Sequence, residues 1–284
     1  IIVAIRTMLK RYKLTAYDED TGRGFLRHVL VKRGFATGET MVVLVTGTPI
    51  FPAKKHFVAE LLRLHPEITT IIQNVNDKPT SLVLGKNEKV LFGPGFIVDS
   101  LCGCRFRISA KSFYQVNPLQ TQVLYGKAME FACLTGQEKV LDAYCGIGTI
   151  GLVAAKQGAG QVLGVELNRD AVRDAIVNAK ENSVKNIRFT CADAGDFMQD
   201  MAAHNEPCDV VFMDPPRAGA SQAFLQALWT LAPSRVVYIS CNPDTLARDL
   251  AALRRCYQVQ ALQPVDMFPH TQHVEVAVQL HRKG

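Results

Sequence analysis

From residue 139 onward, short apolar runs recur along the chain, most of them ending on or just before a carboxylate or a cysteine. That rhythm leaves few folds open. The runs read as strands over 139–142, 161–165, 187–191, 208–213, 235–239, 257–262 and 274–280. Stretches of helical periodicity fill the gaps until the last pair, where 263–272 has none. Strands that alternate with helices build parallel sheets, because a parallel connection needs about the length of a helix. The expected fold class is therefore α/β, with a seven-strand sheet that is mostly parallel and closes with an antiparallel strand.

The most informative turn ends the first of these runs, in K-V-L-D-A-Y-C-G-I-G-T-I-G over 139–151. Gly146 and Gly148 let the backbone turn sharply and admit a ligand without a Cβ in the way. The helix that follows offers free N–H groups to a polar ligand edge. Four successive strands then carry an acid at or past their ends: Asp142, Glu166, Asp193 and Asp214. Open α/β sheets bind ligands along that edge, and an acid ending the second strand typically takes ribose hydroxyls. Any one of these acids reads equally well as a helix cap. Four of them beside a G-x-G turn favour a ligand edge. The third glycine is not spaced as in G-x-G-x-x-G, which counts against a dinucleotide.

At 284 residues the chain fills one large or two medium domains. Hydrophobic residues make up 48% and charged residues 20%, ordinary values for a globular protein. No apolar run reaches the roughly 18 residues of a membrane span, and no signal peptide is visible. The chain opens on Ile1 in a helix-like pattern, so a segment is expected upstream. Eight scattered cysteines suit a reducing, cytoplasmic setting better than a disulfide framework. Cys102 and Cys104 form a C-x-C without a second pair, and His270 and His273 lack a third ligand, so no metal site is expected.

Charge divides the chain. Residues 1–117 hold 17 Lys and Arg against 9 Asp and Glu, a net of +8, whereas 118–284 hold 15 against 17, a net of −2. Either the basic half is simply a solvated surface or it faces nucleic acid. The expected division is an RNA-facing α+β domain over 1–110 and a catalytic domain over 111–284. At the junction, Phe113, Tyr114 and Gln115 sit among Arg105, Arg107 and Lys111, placed for core packing or for base stacking.

Two residues near the end of the chain carry chemistry. Cys241 stands where a strand hands over to a helix, and a helix N-terminus stabilises a thiolate. Inert burial is the competing reading for such a cysteine. Glu275 interrupts the apolar alternation V-E-V-A-V-Q-L. A carboxylate there is costly unless paired or working, and burial raises its pKa into the range of a general base.

The segments F-Y-Q-V-N-P, D-A-Y-C-G-I-G, D-P-P-R-A-G, S-C-N-P and F-P-H-T-x-H-V-E occur in this order. Over at least 106–280 the chain resembles the RNA (uracil-5-)-methyltransferases, a family of class I (Rossmann-like) S-adenosylmethionine-dependent enzymes. The likeness is greatest to the bacterial 23S ribosomal RNA (uracil-C5)-methyltransferases, here truncated at the N-terminus. The resemblance implies S-adenosylmethionine held by Gln115, Tyr144, Gly146, Glu166, Asp193 and Asp214. It implies a uridine of RNA bound by Phe113, Asp214 and Arg217. Cys241 would attack C6 of the uracil, and Glu275 would remove the C5 proton. Transfer RNA is the alternative substrate. An amino-methyltransferase would explain Asp214-Pro215-Pro216 but leave Cys241 and Glu275 idle, as would a non-enzymatic RNA-binding module. Relatives often carry an RNA-binding β-barrel upstream, and some an iron–sulfur cluster held mostly by upstream cysteines. No cysteine precedes Cys102, so no cluster is expected in this segment.

Overall fold

Thr40–Thr46 is buried at every position, as a strand must be when neighbours flank both edges and both faces. In the computed structural model, which describes residues 1–284, this strand (β2) lies inside a four-stranded sheet. Its order is β1 (Leu26–Arg33), β2, β3 (Ile68–Val75) and β4 (Asn87–Phe92). β1–β2 and β3–β4 are antiparallel, while β2–β3 are parallel and joined through helix α2 (Lys54–Leu64). Phe57 and Leu61 of α2 and Ile5 and Met8 of α1 (Ile2–Arg11) close the core over Val42, Leu44 and Ile71. A two-stranded ladder, β5 (Ile97–Leu101) and β6 (Cys104–Ile108), follows. The chain divides into two compact units: Ile1–Ser100 with Arg107–Lys111, and Leu101–Phe106 with Ser112–Gly284. No helix is long and apolar enough to cross a membrane.

The second unit starts with α3 (Pro118–Ala132), whose Asn117 cap accepts the Gln120 N–H and whose first residue is proline. Strands and helices then alternate: β7 (Lys139–Ala143), α4 (Thr149–Lys156), β8 (Gln161–Glu166), α5 (Arg169–Glu181), β9 (Ile187–Cys191), α6 (Ala194–Ala203) and β10 (Val210–Met213). They continue through α7 (Gln222–Leu231), β11 (Arg235–Ser240), α8 (Pro243–Leu253), β12 (Tyr257–Val265) and β13 (Glu275–Arg282). The strands form one seven-stranded sheet ordered β12-β13-β11-β10-β7-β8-β9. The α/β class and the seven-strand sheet expected from the sequence are found. The closing strand is not at an edge: β13 inserts between β11 and β12 and runs antiparallel to both.

Two features of this order place the site. The chain runs outward from β7 through β8 to β9, then returns to the other side of β7 as β10 and β11. That reversal opens a crevice at the strand ends, between the diverging connections. Because β13 runs opposite to its neighbours, its first residue lies at the edge where the parallel strands end.

Candidate active site

Past the end of β7 the backbone enters the left-handed region at Tyr144, with φ of 78°, unusual for a residue with a Cβ. Amide hydrogen bonds from Tyr144 and Cys145 to the Val165 carbonyl, at 3.0 and 2.9 Å, and tilted packing of Tyr144 on Phe224 hold it there. Gly148 follows with φ of 83°, and a Cβ on it would come within 2.9 Å of the Phe189 ring. Asp142, buried beneath the turn, accepts the Gly151 N–H at 2.7 Å and so ties α4 to β7. Burial pushes its carboxyl up to about 7, with Glu166 adding to the shift.

Glu166 closes the loop from the other side. One of its oxygens accepts the Gly146 N–H at 3.1 Å and the other the Asn168 N–H at 2.7 Å. A carboxylate has about four lone-pair sites, so both oxygens retain capacity for hydroxyl donors. Asp193 caps α6 through Oδ1, accepting from Gly195 at 2.8 Å and Asp196 at 3.2 Å. Asp193 thus caps the helix and also borders the cavity.

That cavity, of about 520 Å³, lies along the sheet edge and gathers ten of the residues the sequence singled out, though not Asp142 or Gly148. Phe113, Gln115, Tyr144, Gly146, Glu166, Asp193, Asp214, Arg217, Cys241 and Glu275 all line it. Pro215, Pro216, Val165, Leu167, Ala192 and Ala194 complete the wall and were not anticipated. Leu167 is 71% exposed, an apolar side chain directly after an acid that ends a strand. Single exposed apolar residues are common on protein surfaces, so the sequence alone carried no signal for this one. Apart from Gly146 itself and its two chain neighbours, no protein atom lies within 4 Å of where a Cβ on Gly146 would stand. The acids, the open space at Gly146 and the apolar Val165, Leu167 and Ala192 suit a ligand with ribose hydroxyls and a flat ring.

At the other end of the cavity the sheet register brings Cys241 and Glu275 together. Ser240 of β11 pairs with Val276 of β13, so the next step along the antiparallel ladder sets Cys241 opposite Glu275. Met213 pairs with Ala143 on one side and Tyr238 on the other, which carries Asp214 to the same edge. Glu275 is 5% exposed, and its burial raises its pKa as expected for that position. Asp214 is pushed up to about 8, by burial first, then by Glu275 and Asp142.

Cys241 departs from expectation. Its pKa is raised, by burial first and then by Glu275 and Asp214, with Arg217 acting in the opposite sense. The helix behind it does not override burial and the two acids in front, so the resting side chain is a thiol. Phe113 is 73% exposed, on the rim rather than in the core. Arg217 holds its Nη2 3.3 Å from His273 Nδ1 at the cavity mouth.

A seven-stranded sheet in this order, with an acid-lined cavity at its reversal point, is the class I (Rossmann-like) methyltransferase fold. The chain belongs to the tRNA (uracil-5-)-methyltransferase family, whose sequence model matches residues 83–283. It is similar to an RNA methyltransferase of Enterococcus faecalis, 47% identical over 96% of this chain and 60% of the relative. One from Halalkalibacterium halodurans is 45% identical over 100% of this chain and 62% of its own length. The chain thus spans about 60% of the length of these curated relatives. Among solved structures it is similar to the Pyrococcus abyssi tRNA (uracil-54, C5)-methyltransferase in complex with S-adenosyl-L-homocysteine. That likeness has a TM-score of 0.82 and 30% identity, over 98% of this chain and 66% of that one. Pyrococcus horikoshii TYW2, 13% identical with a TM-score of 0.56 over 99% of both chains, shares the fold alone.

Proposed function

We propose that this chain transfers a methyl group from S-adenosylmethionine to C5 of a uridine in RNA. The observation that carries the reading is the cross-strand placement of Cys241 against Glu275 on one cavity with the acid-lined glycine turn. Glu166 and Asp193 would hold ribose and amino groups of the cofactor, Tyr144, Gly146 and Gln115 its remaining edges, and Asp214 the boundary with the substrate. The bound cofactor supplies an electrophilic methyl group.

C5 of uracil is a poor nucleophile, and covalent addition at C6 is the remedy. The Cys241 thiol releases its proton to solvent, and Sγ bonds to C6 as the C5–C6 π pair shifts toward C4–O4. C5 then has an electron pair with which to take the methyl group. Glu275 removes the C5 proton, the C5–C6 double bond re-forms, and the Sγ–C6 bond breaks. The thiolate recovers a proton from Glu275. The one proton released is that lost from the thiol, which balances the exchange of hydrogen for methyl. A carboxylate of raised pKa in a buried position is matched to the C5 abstraction.

Phe113, exposed on the rim, would stack the extruded base, and Arg217 would hold its phosphate or edge. Asp214 would accept the N3–H that uracil has and cytosine lacks. Residues 1–110 would provide an RNA-facing surface and 111–284 the methyl-transfer chemistry. The RNA is 23S ribosomal RNA in the first reading. Transfer RNA is the second, favoured by the similarity to the P. abyssi enzyme. Eight free cysteines fit a cytoplasmic setting.

The test is to incubate the protein with methyl-labelled cofactor and either RNA, then digest to nucleosides. The expected product is labelled 5-methyluridine from one of the two RNAs, and none with Cys241→Ala. Label on an exocyclic nitrogen, or undiminished product from Cys241→Ala, would overturn the assignment.

A further inference from the structure

Cys241 lies between two residues whose backbone is fixed. Before it, Ser240 makes the last paired step of β11, opposite Val276 of β13. After it, Asn242 caps α8, its Oδ1 accepting the Asp244 N–H at 3.1 Å. Pro243 follows as the first residue of that helix, and a residue before proline is confined to extended backbone. Asn242 obeys, with φ of −142° and ψ of 105°. Cys241 comes past the ladder and before the cap, where neither sets its conformation.

The hydroxyl of Ser240 spans that gap. It accepts the Asn242 N–H at 3.2 Å and donates to the Asn242 carbonyl at 3.1 Å. Both backbone groups of the cap residue are thereby tied to the last residue of the strand. The same carbonyl accepts the Leu246 N–H at 3.0 Å, so the link continues into the first turn of α8. Ser240 is buried, which keeps its hydroxyl on these partners. Tyr238, two residues back on the same face of the strand, also reaches α8, its hydroxyl donating to Asp249 at 2.7 Å. Cys241, enclosed by the bridge, is left to line the cavity. Hydroxyl turns of this kind are common in loops. This one closes around the residue assigned as the nucleophile.

We propose that Ser240 is a positioning residue, whose hydroxyl carries the register of the sheet one residue beyond its last pair and so holds Sγ of Cys241 where C6 of the base arrives. The proposal rests on the uracil-C5 reading and deepens it. The step it serves is the addition: the thiol proton leaves to solvent, Sγ bonds to C6, and the C5–C6 π pair moves toward O4. Ser240 touches none of these atoms. Its effect is on geometry, and a nucleophile misplaced by about 1 Å can cost about a hundredfold in rate.

The experiment compares wild type, Ser240→Ala, Ser240→Thr and Ser240→Val. Threonine keeps the hydroxyl, and valine copies the shape of threonine without it. The rate of covalent adduct formation is followed on a denaturing gel, with saturating cofactor and RNA carrying 5-fluorouridine at the target. Ser240→Ala and Ser240→Val should slow the adduct by about ten- to a hundredfold, while Ser240→Thr stays within about threefold of wild type. Affinities for RNA and for S-adenosylmethionine should be unchanged, which places the loss in kcat rather than KM. Alkylation of Cys241 by iodoacetamide, read by peptide mass spectrometry across pH, should keep its rate and its midpoint, because a small reagent reports ionisation and access rather than aim. Should Ser240→Ala fail to fold, the threonine and valine pair carries the comparison. Equal rates for Ser240→Thr and Ser240→Val, fast or slow, would overturn the role of the hydroxyl. So would alkylation that slows in step with adduct formation, since the hydroxyl would then act on the thiol itself. A wild type that forms neither adduct nor 5-methyluridine with any RNA would instead remove the underlying reading.

Discussion

In the proposed reaction Glu275 acts late and Cys241 early, so removing them should have unlike consequences. Glu275→Gln keeps the volume and the hydrogen-bonding edge but cannot take the C5 proton. Methyl transfer should then proceed and elimination stall, leaving the protein attached to methylated RNA. A denaturing gel with labelled RNA should show a slow band that persists in Glu275→Gln and is missing in Cys241→Ala. Turnover by Glu275→Gln at the wild-type rate would remove it from the role of base. Both residues were legible in the chain, one as a cysteine at a strand–helix boundary and the other as a lone acid in an apolar alternation. The ionisation of the thiol was not legible. Burial raises its pKa first, and Glu275 and Asp214, which meet Cys241 only through the sheet, add to the shift. A helix N-terminus is a local feature that sequence reveals, while burial and the two nearby acids are not.

At the scale of elements, α8 does more than present Cys241. Its cap residue Asn242 donates to the Arg217 carbonyl at 3.2 Å, and Thr245 reaches the same carbonyl at 3.3 Å. One turn further on, Asp249, with no exposed surface, accepts the Tyr238 hydroxyl at 2.7 Å and the Ala220 N–H at 2.8 Å. Arg248 binds Asp249 and the carbonyls of Ala218 and Ala220. The second half of the D-P-P-R-A-G loop, from Arg217 on, is thus pinned by one helix, and Gly219, with φ of 79°, fits against Arg248 and Asp249 where a Cβ would collide. Asp249→Ala strands a buried hydroxyl and a buried amide, at about 1–3 kcal/mol for each unsatisfied group. A drop of several degrees in melting temperature and a raised KM for RNA are expected. A variant with unchanged melting temperature and KM would show that the loop holds its shape without the helix. Strand and helix positions in this half were readable because apolar periodicity is local. The insertion of β13 was not, since a pattern along the chain fixes the order of strands in sequence and not in the sheet. β6 also escaped notice, because C-R-F-R-I alternates inside a short basic segment that reads as a junction.

The whole molecule divides its charge unevenly, +8 over residues 1–117 and −2 over the rest. Cations of the first unit, such as Lys86 and Lys89 around β4, are exposed and outside every ion pair. An RNA lying on such a surface displaces condensed counterions, so affinity falls with salt by a slope of about −0.7 per phosphate neutralised on single strands. Five contacts would weaken binding about a hundredfold between roughly 50 and 200 mM salt. Replacing Lys86 and Lys89 together by Gln should flatten the slope by up to about 1.4 and weaken all RNA sequences alike. The measurement is a salt series of fluorescence-anisotropy titrations on wild type and the double variant, with Cys241→Ala as a charge-neutral control. The control should follow the wild-type line, because the role proposed for Cys241 is in the chemistry rather than in phosphate binding. An affinity independent of salt would mean that the basic half is a solvated surface and that recognition lies with the cavity. A slope unchanged in the double variant would move the phosphate path away from β4, to the other exposed cations of the same unit.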